Sequence, residues 1–104
     1  SDILPTTETS LHSYLEDKTG GLVTSAVIGK WHVGTGANHP SRMGVPHYSG
    51  LLSGGVQSYD EWRWTHDGIN ETSTEYSTSK FTDLAIDWIG SQSKPWFLWL
   101  AYNA

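Results

Sequence analysis

The sequence predicts an α/β fold: part of a mainly parallel sheet flanked by helices, and incomplete within its 104 residues. Three observations carry this expectation. An apolar run, Val23-Thr24-Ser25-Ala26-Val27-Ile28, reads as a buried strand that follows a helical pattern. A second run, Trp96-Phe97-Leu98-Trp99-Leu100-Ala101-Tyr102, does not alternate polar with apolar. A strand covered on both faces, in the middle of a parallel sheet, reads this way. Between the two lies an amphipathic helix that can serve as the crossover a parallel pair needs. Two such strands and two helices cannot cover both faces of a central sheet. The chain is therefore expected to be a piece of a larger domain, or to be sheltered by a partner.

The elements follow in order. Residues 7–18 are expected to be helical, with Leu11, Tyr14 and Leu15 on one buried face and His12 on the polar side. Thr6 or Thr7 can cap the start, Glu8 suits the positive end of the dipole, and Gly20-Gly21 supplies the stop. The first strand is expected at about 22–29. Residues 33–70 carry glycine at 34, 36, 44, 50, 54, 55 and 68 and proline at 40 and 46. They read mostly as loop, with short strands near 47–52 and 60–65. Loops this long are usually functional or belong to a lid; the plainer reading is that they cover the sheet edge. Residues 78–91 form the clearest helix, with Phe81, Leu84, Ala85, Trp88 and Ile89 on one face and Ser77 or Thr78 as cap. Asp83 and Asp87 would face water as solvated charges, and Gly90 with Lys94-Pro95 ends the helix.

Composition narrows the function. The net charge of -5, with six Lys and Arg, argues against general nucleic-acid binding, which needs a basic surface. An anionic small substrate stays open, because one cation can dominate its own cleft. No apolar run approaches the roughly 20 residues needed to cross a bilayer, and the polar, Pro-containing start does not read as a signal peptide. Cysteine is absent, which removes disulfides, thiolate zinc sites and a cysteine nucleophile from consideration. Asn70-Glu71-Thr72 is a formal glycosylation sequon of a kind that arises often by chance.

The most informative stretch is Gly29-Lys30-Trp31-His32, at the end of the first predicted strand. If extended geometry lasts to position 32, Lys30 and His32 project together and Trp31 projects the other way. Ligand sites of open α/β sheets lie beyond the carboxyl ends of the strands. A cation beside a titratable imidazole at such a place suits an oxyanion. A lone Lys-x-His is a weak signal, and the glycine and strand before it strengthen it.

Other candidates are weaker. His39, His47 and His66 could be imagined as a metal cluster, but their spacing matches no ligand template and loop histidines are usually surface residues. The expectation is that no metal is bound by this chain's own residues. The His66-Asp67-Gly68 turn is kept as a substrate contact, through His66, should it approach the cleft. Trp62-Arg63-Trp64 alternates as a strand would, with two indoles on one face. They either pack in the core or stack on a sugar ring, and packing is favoured.

Four blocks, in order, resemble the type I sulfatases of the alkaline phosphatase superfamily. Ala26-Val27-Ile28-Gly29-Lys30-Trp31-His32-Val33-Gly34 resembles their GKWHxG signature. Thr9-Ser10-Leu11, Tyr14-Leu15 and Gly20-Gly21 resemble the helix and turn before it. The segment from Phe81 to Ile89 resembles the TDxAIDFI helix, and that from Lys94 to Ala104 resembles the KPFFLYLAYNAPH strand. Residues 36–76 match weakly. The resemblance implies that 1–104 is the central fragment of a sulfatase catalytic domain with an alkaline phosphatase-like sheet. Its parts would be 7–34 (helix, strand and signature), 35–76 (Gly-rich loops) and 77–104 (helix and buried strand).

It implies, for the parent enzyme, hydrolysis of sulfate esters using formylglycine and a divalent cation, usually calcium. Lys30 matches the lysine that contacts the formylglycine and the sulfate. His32 matches the histidine beside the formylglycine that helps expel sulfate. The implied partners are a sulfate ester, including a sulfated carbohydrate, and the rest of the sulfatase domain; the implied compartment is periplasmic, secreted or lysosomal.

The departures are large. The chain has neither the upstream Asp-Asp pair nor the later Asp-Asn pair that bind metal. It also lacks the histidine expected directly after Ala104 and the second sulfate-binding lysine. Asn38-His39-Pro40-Ser41-Arg42 imitates the formylglycine motif, but asparagine stands where Cys or Ser is required. It reads as a loop whose Pro and Ser make a turn. The isolated chain is thus expected to be inactive and to bind no calcium tightly. Two alternatives stand: a phosphodiesterase or phosphonate monoester hydrolase of the same superfamily, and an aromatic-rich carbohydrate-binding module.

Overall fold

Ser10 opens the first helix: its hydroxyl accepts the Ser13 N–H at 3.1 Å and donates to the Met43 carbonyl. In the computed structural model, which describes residues 5–31, 34, 36–52 and 61–102, helix α1 runs Leu11–Thr19 and stops where Gly20 takes φ 61°. The Gly21 N–H then reaches back to the Glu16 carbonyl, a left-handed helix stop that glycine adopts without steric penalty. The expected stop is borne out. The cap is Ser10 instead of Thr6 or Thr7, and the helix begins four residues later than expected, so Glu8 lies outside it.

The buried stripe of α1 is also rotated from the expected one. Leu11 and Tyr14 are about half exposed, and His12 is buried. His12, Leu15 and Thr19 are the residues turned inward. The physical reason is a polar contact: His12 Nδ1 lies 2.8 Å from the Ser25 hydroxyl, and its ring packs against Phe97. Burial lowers the His12 pKa from the ordinary 6.5. The unfolded chain therefore binds a proton here that the folded chain does not, and stability rises with pH. The contribution is complete above the unfolded value and is lost as pH falls toward the folded one. Urea midpoints measured near pH 7.5 and pH 5 are expected to differ less in His12→Gln than in the unaltered protein; an unchanged difference would refute this account.

Strand β1 (Thr24–Lys30), paired on both sides, is almost wholly buried. Helix α2 (His39–Arg42) is one turn entered through Pro40, where the expected loop lay. Strand β2 (His47–Leu51) runs parallel to β1, with Ala26 beside His47 and Lys30 beside Leu51. Strands β3 (Trp62–His66) and β4 (Ile69–Ser73) form an antiparallel hairpin. It closes on Asp67 (φ 45°) and Gly68 (φ 87°), the two positive φ angles that a tight Asp-Gly hairpin turn requires. Helix α3 (Ser77–Gly90) lies over the sheet, and strand β5 (Trp96–Ala101) runs parallel to β1 on its other side. The strand order is β4-β3-β2-β1-β5, so three parallel strands carry an antiparallel hairpin at one edge.

The two faces of β1 define two cores. Ala26 and Ile28 face α3 and pack with Leu51, Trp62, Trp64, Phe81, Ala85 and Trp88. Val27 faces the other way with Val45 and Tyr48. Trp62 and Trp64 are 1% and 7% exposed, so the packing reading holds and these indoles offer no platform for a sugar. Helix α3 buries Phe81, Ala85 and Trp88 as expected, but its start at Tyr76 has no side-chain cap, in place of the predicted Ser77 or Thr78.

Strand β5 departs from the expected central position. Among the described residues it pairs only with β1, and Trp96 and Trp99 are 44% and 58% exposed. Its run of large apolar residues is suited to cover on both faces, which nothing among the described residues supplies.

Candidate active site

Gly29 determines how β1 ends. Its φ is 115°, and a Cβ there would lie 1.8 Å from the Ala101 carbonyl oxygen. Across the other edge, a Cβ on Gly50 would lie 1.8 Å from the Gly29 carbonyl oxygen. Glycine at both positions lets β5, β1 and β2 approach closely at the carboxyl end of the parallel strands. The buried Tyr48 hydroxyl donates to that same Gly29 carbonyl at 2.8 Å, and burial pushes its pKa upward, so it stays a neutral donor.

Lys30 is the last residue of β1 and is half-buried. It lines a cleft of about 280 Å³ together with His12, Val27, Trp31 and Trp99. No described residue makes a side-chain hydrogen bond or ion pair with it. Trp31 follows outside the strand and is braced: its backbone N–H donates to Leu51 O at 2.8 Å and its indole N–H to His39 Nδ1 at 2.9 Å. Its ring meets Tyr48 edge-on at 5.6 Å. An ammonium with no counter-charge among the described residues, in a cleft walled by indoles, has the chemistry to attract an anion, because the apolar walls weaken the competition from water. His32, the second residue singled out by sequence, lies outside the described residues.

His66 is not brought to this end. It pairs with Ser49, which in turn lies beside Ile28, and β2 separates it from β1. There it meets two groups that sequence reasoning did not join to it. His47 Nδ1 is 2.9 Å from Asp67 Oδ2, and His66 Nε2 is 3.9 Å from the same oxygen. The two imidazoles stand edge-on at 5.3 Å. Burial lowers the His47 pKa, with Asp67 opposing that effect. His39 is elsewhere, against Trp31, so the imagined three-histidine cluster is not formed; His47 and His66 meet with Asp67 in its place. The signal in the sequence was the Asp-Gly turn directly after His66. What it lacked was the pairing that sets β2 against β3.

The family model and the solved structures point to the same family. The sulfatase family model matches residues 2–104. The chain is similar in fold to the crystal structure of Ps i-CgsB, at 24% identity and TM-score 0.79, over 100% of this chain and 28% of that one. It is equally similar to Ps i-CgsB in complex with k-i-k-neocarrahexaose, at 23% identity and TM-score 0.79, covering 96% of this chain and 27% of that one. The comparison with curated proteins returns no match. The chain thus spans little more than a quarter of the solved structures it resembles, and no described helix is long and apolar enough to cross a membrane. With nearly every residue from the first helix to the last strand inside the family match, and the Lys30 cleft at the carboxyl edge of the sheet, this chain belongs to the sulfatase family.

Proposed function

We propose that the protein carrying this chain hydrolyses sulfate esters, and that Lys30 binds an oxygen of the sulfate group. The observation that carries this reading is the half-buried ammonium of Lys30, unpaired among the described residues and lining a cleft in a chain of the sulfatase family. A lysine ammonium is a compact positive charge that can follow a tetrahedral anion as its charge redistributes. His32, two residues on, is the group proposed to exchange a proton beside it near neutral pH. Apolar walls from Val27, Trp31 and Trp99 strengthen the Lys30–sulfate attraction. The parent substrate is proposed to be a sulfated carbohydrate, a reading favoured by the oligosaccharide complex of the similar fold.

In sulfatases a formylglycine and a divalent cation supply the nucleophile and the Lewis acid. The described residues around Lys30 do not fit such a cation, since none of those lining the cleft is a carboxylate. Nor does the Asn38–Arg42 segment fit a formylglycine, its first residue being the wrong precursor and His39–Arg42 forming a helical turn. Both groups are assigned to other parts of the longer protein.

The test is substrate preference. The full-length protein, given an aryl sulfate, the matching phosphodiester and a phosphonate monoester, is expected to turn over the sulfate fastest, and the isolated 104-residue chain is expected to turn over none. Faster turnover of either phosphorus ester would overturn the reading in favour of a related hydrolase. Turnover by the isolated chain would refute the division of the site between segments.

A further inference from the structure

We propose that His47, His66 and Asp67 form a zinc-type metal site that ties β2 to the β3–β4 hairpin. The donor atoms of these three residues all lie within 4.8 Å of one another. Two imidazole nitrogens and one carboxylate oxygen are the donor set of borderline divalent metals, with a fourth position left for water. Bonds of about 2.0–2.1 Å in a tetrahedron need donors about 3.3 Å apart. The 2.9 and 3.9 Å separations from Asp67 Oδ2 bracket that value.

The groups behind the donors point the same way. Ser49 is fully buried, and its hydroxyl lies 2.6 Å from His66 Nδ1 and 3.4 Å from His47 Nε2. Each ring thus offers one nitrogen to the same hydroxyl and aims its other nitrogen at the same carboxylate oxygen. If Ser49 accepts both N–H groups, two imidazole lone pairs and an anionic oxygen converge. A metal ion would satisfy all three, and a hydrogen-bonded second nitrogen is the usual support of a metal-bound histidine. Asp67 is held independently: its Oδ1 accepts the Tyr48 N–H at 2.8 Å, and its own N–H donates to the Tyr48 carbonyl. Its Oδ2 is left for the metal.

The location gives the site a structural purpose. Among the described residues, strands β2 and β3 share two register pairs, Ser49 with His66 and Gly50 with Thr65. A metal held by His47 on one strand and His66–Asp67 on the hairpin would fasten this short ladder.

The experiment uses the full-length protein, stripped by a chelator and returned to excess calcium so that oxygen-only sites are filled. Titration with Co²⁺ is expected to give the visible absorption of a tetrahedral site at one equivalent, bleached by Zn²⁺. Asp67→Asn keeps the turn, because asparagine tolerates positive φ, and is expected to abolish the bands. Ser49→Ala is expected to weaken Co²⁺ binding about tenfold. Zn²⁺ is expected to raise the melting temperature of the unaltered protein and not of Asp67→Asn. No visible bands in the unaltered protein, or bands unchanged in Asp67→Asn, would overturn the proposal, and neither outcome depends on a histidine variant that could fail to fold.

Discussion

Lys30→Ala in the full-length protein is expected to lower kcat for sulfate ester hydrolysis by about 10²–10³-fold, the usual loss when one preorganised charge-stabilising donor is removed. The side chain lies at the end of β1 in a cleft walled by Val27, Trp31 and Trp99, with no described residue to replace its charge. Truncation leaves the strand intact, because the pairing of Lys30 with Leu51 is made by backbone. The loss should therefore come without a matching fall in melting temperature. Sulfate as a competitive inhibitor should weaken in parallel, since the ground-state anion meets the same ammonium. Lys30→Arg should recover only part of the rate: the charge is retained, but a planar fork replaces a compact ammonium. Steady-state kinetics on the three proteins check this. Turnover by Lys30→Ala within about threefold of the unaltered enzyme would mean a barrier change under 1 kcal/mol, and Lys30 would then have no part in catalysis.

Trp62→Ala is expected to destabilise the fold by about 3–5 kcal/mol. Trp62 is 1% exposed and meets the fully buried Phe81 edge-on at 5.5 Å. It thus joins the hairpin to α3. Its indole N–H also donates to the Glu75 carbonyl at 2.7 Å, fastening the chain just before that helix. Trp62→Phe keeps most of the apolar volume and loses the hydrogen bond, for a smaller cost of about 1 kcal/mol from the bond itself. Denaturant titration followed by far-ultraviolet circular dichroism measures both. A change below about 1 kcal/mol for the alanine variant would mean that the pocket collapses around the lost ring, or that the indole is not a core residue.

Much of the architecture was legible because its signals are local. Helix α3 declared itself through Phe81, Ala85 and Trp88 at helical spacing, and its observed ends differ from the expected ones by one residue. Strand β1 was marked by its apolar run, and the end of α1 by Gly20-Gly21. Strand alternation placed Trp62 and Trp64 on one face, and the structure decides that this face is buried. Helix α1 was harder. Its inward stripe contains His12, which burial alone disfavours, and only the opposing Ser25 hydroxyl makes that orientation favourable. Strand β4, Ile-Asn-Glu-Thr-Ser, has too little apolar content to read as a strand; it exists because the Asp67-Gly68 turn folds it onto β3.

The candidate sites divide in the same manner. Lys30 was singled out from its own neighbours in the chain: a glycine, a preceding strand and a histidine two residues on. The meeting of His47 with His66 and Asp67 could not be found so, because those residues are far apart in sequence and converge through the parallel step from β1 to β2 and the antiparallel step to β3.

By itself, the order of apolar runs, helical stripes and glycines determined an α/β chain whose first strand delivers a lysine to its carboxyl end. Hydrophobic periodicity and backbone sterics act over a few residues, so they are written in the sequence directly. Which strands became neighbours, which side of α1 turned inward and where the histidines met were decided only in three dimensions. Those outcomes depend on pairing and polar contacts between distant segments, whose free energies exist only once the chain has brought them together.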